Sequence, residues 1–104
     1  MTISYIRLLL DYPCYPVWLY AEDGCVIDTV LPEEWQDDAE LDGLFIKLQE
    51  AYNALFIDDG KEFSYVGFRS DEERTAFVQL MQSAADALYR KNNGKYTIVN
   101  DLHL

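Results

Sequence analysis

Apolar positions along the chain first alternate with polar ones, then run together, and later recur at helical spacing. In "TISYIRLLLDY", Ile3, Tyr5 and Arg7 alternate with Ser4 and Ile6 before Leu8 to Leu10 become wholly apolar, which predicts a strand buried on at least one face. "DYPCYP" interrupts it, because each proline presses the tyrosine before it toward extended backbone. "VWLY" resumes as a strand, "AEDG" supplies an Asp-Gly turn and "CVIDTVL" returns, so Val17 to Leu31 reads as a hairpin. Pro32 marks a boundary, and "PEEW" suits a short helical turn.

Beyond it the period changes. Leu41, Leu44, Phe45, Leu48, Ala51, Tyr52 and Leu55 fall on one side of an α-helix. "LFIDDGKEFSYVGF" then places an Asp59-Gly60 turn between two short apolar arms, with Phe63 and Tyr65 on one strand face and Ser64 and Val66 on the other. "SDEER" is a capping box: the Ser70 hydroxyl accepts from the Glu73 N–H, and the Glu73 carboxylate reaches back to Ser70. The helix it opens has the stripe Phe77, Leu80, Met81, Ala84, Ala87 and Leu88, carries Arg90 and Lys91 at its negative end and stops at "NNG". "KYTIV" is a last strand. These elements predict one α+β domain over residues 1–104, an antiparallel sheet of about five strands packed against two main helices.

With 104 residues, half of them hydrophobic, the chain can bury one core. Its apolar runs are far shorter than the ~18 residues of a membrane span, so a protein of the cytoplasm with no membrane partner is expected. Cys14 and Cys25 belong to no Cys-x-x-Cys pair and read as free thiols, with little support for zinc or disulfide exchange.

Charge changes the picture most. Eight Lys and Arg stand against 19 Asp and Glu, a net of −11, which disfavours direct contact with nucleic acid. From Leu8 to Ile46 there is no Lys or Arg, while Asp11, Glu22, Asp23, Asp28, Glu33, Glu34, Asp37, Asp38, Glu40 and Asp42 supply ten acids. Asp38, Glu40, Asp42 and Gly43 copy the opening of a calcium loop, but its twelfth position is Gln49 instead of a bidentate glutamate. The leucine stripe also runs straight through it. No metal is therefore expected, and the isolated glycines offer no cradle for a nucleotide cofactor.

Catalysis has little to work with. The one histidine, His103, is next to last, and no spacing singles out an acid–base pair among the carboxylates. A carboxylate-pair hydrolase would need a deep cleft with two acids in contrasting environments; a protein without enzymatic activity is the expectation. The aromatic group Tyr12, Tyr15, Trp18, Tyr20 and Trp35 suits binding instead, because Tyr and Trp bury large areas at small entropic cost. Trp35 sits among Glu33, Glu34, Gln36, Asp37 and Asp38, the setting of an aromatic anchor inside an acid cluster.

Unneutralised carboxylates repel one another, and a basic partner supplies a reason to keep them: a concentrated negative field speeds and orients the encounter. The run "LLLDYPCYPVWLYAEDGCVIDTVLPEEW", followed by "LFIDDGKEFSYVGF" and a final amphipathic helix, resembles the small acidic immunity proteins of bacterial polymorphic-toxin systems, including those of contact-dependent growth inhibition. The resemblance implies a cytoplasmic protein that binds the toxic domain of a cognate effector, often a nuclease, and blocks it. Such proteins share no catalytic motif, so the contact set follows from charge: Glu33, Glu34, Trp35, Asp37, Asp38, Glu40 and Asp42, with Asp58 and Asp59 as a second cluster. The alternative is a general interaction or adaptor domain, homodimeric through an exposed sheet edge.

Overall fold

The computed structural model describes residues 3–12, 14–58 and 60–103, with Asp58 described by its backbone alone. Strand β1 (Tyr5–Leu9) forms because its even positions are apolar: Ile6 and Leu8 are fully buried while their neighbours are half-exposed. Antiparallel β2 (Val17–Tyr20) sets Leu19 against Ile6 and Val17 against Leu8, so four side chains meet on the inner face. The return into β3 (Val26–Asp28) is made by Glu22, Asp23 and Gly24, with the Gly24 N–H donating to the Ala21 carbonyl at 3.0 Å. Gly24 has φ +85°, where a side chain would be strained.

One 3₁₀ turn, Glu33–Trp35, leads to helix α1 (Ala39–Asn53), and α2 (Asp71–Asn92) packs against α1. The predicted stripes are the contact faces: Leu41, Phe45 and Leu48 of α1 and Phe77, Met81, Ala84 and Leu88 of α2 are buried in one cluster with the inner sheet face. Full burial of a side chain such as Phe45 or Leu48 contributes about 1.5–3 kcal/mol. The Ser70 hydroxyl accepts from the Glu73 N–H at 3.1 Å, the forward half of the capping box. At the far end Asn93 takes left-handed backbone at φ 45° and the helix stops, as the "NNG" signal predicts.

Fold class and helices match the sequence expectation; the sheet differs in two respects. Its order is β3-β2-β1-β6, and β6 (Thr97–Asp101) runs parallel to β1, with Ile98 beside Ile6, so the four-stranded sheet is mixed. The chain reaches β6 through α2 instead of a hairpin, and that crossover returns it in the same direction as β1. Strands β4 (Phe56–Asp58) and β5 (Phe63–Tyr65) form a separate two-stranded sheet. Such a ribbon is marginal alone. It is tied down by Val66 and Gly67, whose N–H groups both donate to the carbonyl of buried Leu55, and by Phe56, whose ring meets Tyr12, Tyr52, Phe63 and Tyr65 at 5.1–5.3 Å. Among the described residues no helix is long and apolar enough to cross a membrane.

Candidate interaction surface

The acids of residues 33–42 are held on a rigid support, and the support sorts them. Pro32 delivers the chain in extended geometry, and the tight turn that follows leaves Glu33 and Glu34 outside while Trp35 swings inward. Trp35 is 6% exposed and meets the Tyr96 ring edge-on at 5.6 Å. This corrects the expectation of a surface anchor. The polar neighbours that suggested exposure occupy the outside of one turn, and the ring that packs against the indole comes from the other end of the chain.

Tyr96 is itself fixed. The Asn92 side chain donates to the Tyr96 carbonyl at 2.8 Å and accepts the Tyr96 N–H at 2.7 Å, closing the connection between α2 and β6. That connection brings Lys95 and the Tyr96 hydroxyl to Glu34: Lys95 pairs with one carboxylate oxygen, and Tyr96 donates to the other at 2.6 Å. Lys95, then Tyr96, hold the Glu34 carboxyl below the usual range. Partial burial, then the bond to Glu34, push the Tyr96 hydroxyl up to about 12.

Asp38 is held in the same way. It caps α1, accepting the Leu41 N–H at 3.0 Å, and pairs with Lys91 at 2.7 Å. Lys91 is the main cause of its lowered pKa and the capping bond the next. The start of α1 thus lies beside the end of α2, and the cation that complements the negative end of one helix serves an acid at the positive end of the other. Asp42, one turn on, accepts the Tyr15 hydroxyl at 2.8 Å and has no ion pair among the described residues. Burial first, and Asp42 second, keep that phenol protonated far above its ordinary range.

Glu33, Asp37 and Glu40 are exposed and have no ion pair among the described residues. Glu40 shares a shallow depression between the helices with Arg90, without an ion pair between them. Over the longer stretch from Leu8 to Ile46, Glu34 and Asp38 are the two of the ten acids that pair with a lysine among the described residues. The sequence-predicted contact set is therefore divided: Glu33, Asp37 and Glu40 remain available, Glu34 and Asp38 are already matched, Asp42 turns to Tyr15 and Trp35 is internal. Of the second cluster, the Asp58 backbone lies in β4 opposite Phe63, and Asp59 lies outside the described residues. The segment resembling a calcium loop is helical from Ala39 onward, with Asp38 spent on capping.

Sequence reasoning missed Lys91, Lys95 and Tyr96 as site residues, and although it named Tyr15 and Asp42 it did not pair them. The readable signal was the grouping of Arg90, Lys91 and Lys95, three of eight cations within six positions, but nothing local says which acids they meet. Beside Asp42 the fold also leaves a cleft of about 400 Å³ lined by Tyr15, Thr29, Val30, Leu31, Gln36, Asp42 and Ile46. The remaining aromatics of the group are structural: Tyr20 stacks on Tyr5 at 4.6 Å, and Trp18 is half-buried on the sheet face opposite Val17 and Leu19. Cys14 and Cys25 are free. No protein-family model matches the chain, and no curated protein sequence matches it.

Proposed function

We propose that this protein binds and neutralises a basic partner protein through the carboxylates of residues 33–42, acting as the immunity protein of a toxin whose basic domain is a nuclease. The observation that carries the reading is the imbalance within this segment: four of its six carboxylates have no ion pair among the described residues, and neither do the other four acids between Leu8 and Ile46. A nuclease cleft that accommodates phosphates is basic, and a rigid acidic surface can occupy it in their place. The buried Trp35 and the two lysine pairs hold the backbone that carries Glu33, Asp37 and Glu40, so little ordering remains to be done on binding.

Inhibition by binding fits the electrostatics better than catalysis. The two carboxyls of this surface with displaced pKa values, Glu34 and Asp38, are both held charged by lysines. An acid–base pair needs environments that push its members apart. A second reading, an adaptor without a toxin, has one observation in its favour: Ile57, Phe63, Tyr65 and Val66 are each about half exposed on and beside the β4–β5 ribbon.

The experiment is to express the protein encoded next to this gene, alone and with this protein, and to assay it for nuclease activity. A stoichiometric complex in which nuclease activity disappears, and which the triple substitution Glu33→Gln, Asp37→Asn, Glu40→Gln weakens, is the expected result. A neighbour that neither binds nor is inhibited would remove the toxin reading and leave the adaptor.

A further inference from the structure

The cleft beside Asp42 has a composition that selects its occupant. Its walls are Val30, Leu31 and Ile46, the last 40% exposed, and its charged group is the Asp42 carboxylate. One Asp42 oxygen takes the Tyr15 hydroxyl at 2.8 Å, which leaves the second without a hydrogen bond among the described residues. The Gln36 side chain donates its amide N–H to the Leu31 carbonyl at 3.0 Å, and its own carbonyl oxygen is left as an acceptor. The Tyr15 proton is committed to Asp42, so the lining presents a carboxylate oxygen and an amide oxygen without a cation, beside the Thr29 hydroxyl and the second Gln36 N–H, above an aliphatic wall.

We infer that this cleft is a socket for one arginine side chain of the basic partner, an inference that rests on the function proposed above. A guanidinium presents five N–H donors and a positive charge, which suit the open Asp42 oxygen and the Gln36 carbonyl. It is weakly hydrated for a cation and stacks on aromatic rings such as that of Tyr15, while its methylene stem covers apolar wall. A volume of about 400 Å³ lies near the lower end of ligand sites and takes one long side chain with its backbone outside. The occupant belongs to a protein because the chain segment that supplies Gln36 and Asp42 to the cleft also carries the exposed, unpaired Glu33, Asp37 and Glu40, the charge a basic protein would meet. Arginine is also among the residues that most often dominate binding energy at interfaces.

The test uses the intact chain labelled with ¹⁵N and three probes: N-acetyl-arginine methylamide, its lysine counterpart and its norleucine counterpart. The arginine probe should give saturable amide shifts centred on Val30, Leu31 and Ile46, the lysine probe a weaker response and the norleucine probe none. Asp42→Asn should weaken the arginine response about tenfold, the loss of one charge-assisted contact. Ile46→Arg places a tethered guanidinium one helical turn from Asp42, and should abolish the response while the protein still melts cooperatively. Equal responses in wild type and Asp42→Asn, or equal binding of arginine and norleucine, would overturn the socket. Poly-lysine binding lost in the Glu33, Asp37 and Glu40 variant tests the wider acidic surface separately: its retention with no arginine-probe response removes the socket alone, and loss of both in the wild type removes both.

Discussion

Residues 33–42 and the β4–β5 ribbon both carry unmatched surface among the described residues, and they are unmatched in opposite ways. The first displays carboxylates on a backbone held by a buried indole, two lysine pairs and a helix cap. The second displays apolar rings, with Phe63 and Tyr65 more than half exposed, on two short strands tied to the body through the Leu55 carbonyl and the Phe56 cluster. Charge acts at a distance and governs encounter, whereas exposed apolar area acts on contact. The comparison also shows that the six carboxylates of residues 33–42 overstate the open charge of that segment, since Lys91 and Lys95 already pair with two of them.

The sharpest way to break the contrast is to remove the indole. Trp35→Ala should cost about 3–5 kcal/mol in urea unfolding, as for other large buried aromatics. Phe63→Ser, on the ribbon, should cost less, about 1–2 kcal/mol, because the ring is more than half exposed and loses chiefly its stack on Phe56. Similar losses for the two would contradict the assignment of frame and display.

Acid titration sharpens it further. The Glu34 and Asp38 carboxyls are lowered from ordinary values of 4.5 and 3.8, so the stability they contribute is complete above about pH 4.5 and is lost as pH falls through their folded values. The Tyr96 hydroxyl moves the other way: raised from 10.0 to about 12, it contributes stability that is complete below pH 10 and is lost as pH rises toward 12. In plots of urea midpoint against pH for Glu34→Gln, the acid limb should shrink to the part Asp38 contributes, and the alkaline limb should shrink only in part because burial of Tyr96 remains. A smaller effect follows from releasing the matched acids. Lys91→Ala with Lys95→Ala takes the formal charge from −11 to −13, and should raise the low-salt association rate for a basic protein while lowering stability slightly.

Much of this fold is legible in the residues. The stripe from Leu41 to Tyr52, the capping box at Ser70, the stop at Asn93 and the Asp23-Gly24 hairpin are local signals, and each becomes the element it predicts. The parallel pairing of β6 with β1 is not local, because it depends on where α2 delivers the chain. The same limit applies to the surface. Composition reveals the acid run, yet Glu34 meets Lys95 across 61 positions, and no short window could show that pair. Trp35 misleads for a related reason: its neighbours in sequence are polar, and its ring partner Tyr96 is brought to it by the fold.

The central claim is that the unmatched carboxylates of residues 33–42 steer a basic partner. Its most direct measurement is the association rate with the basic partner proposed above across ionic strength, for wild type and for Glu33→Gln, Asp37→Asn, Glu40→Gln. The wild-type rate should fall steeply as salt rises and the variant should be slower by about tenfold at low salt, the two converging at high salt. Rates that coincide at every ionic strength would contradict the account.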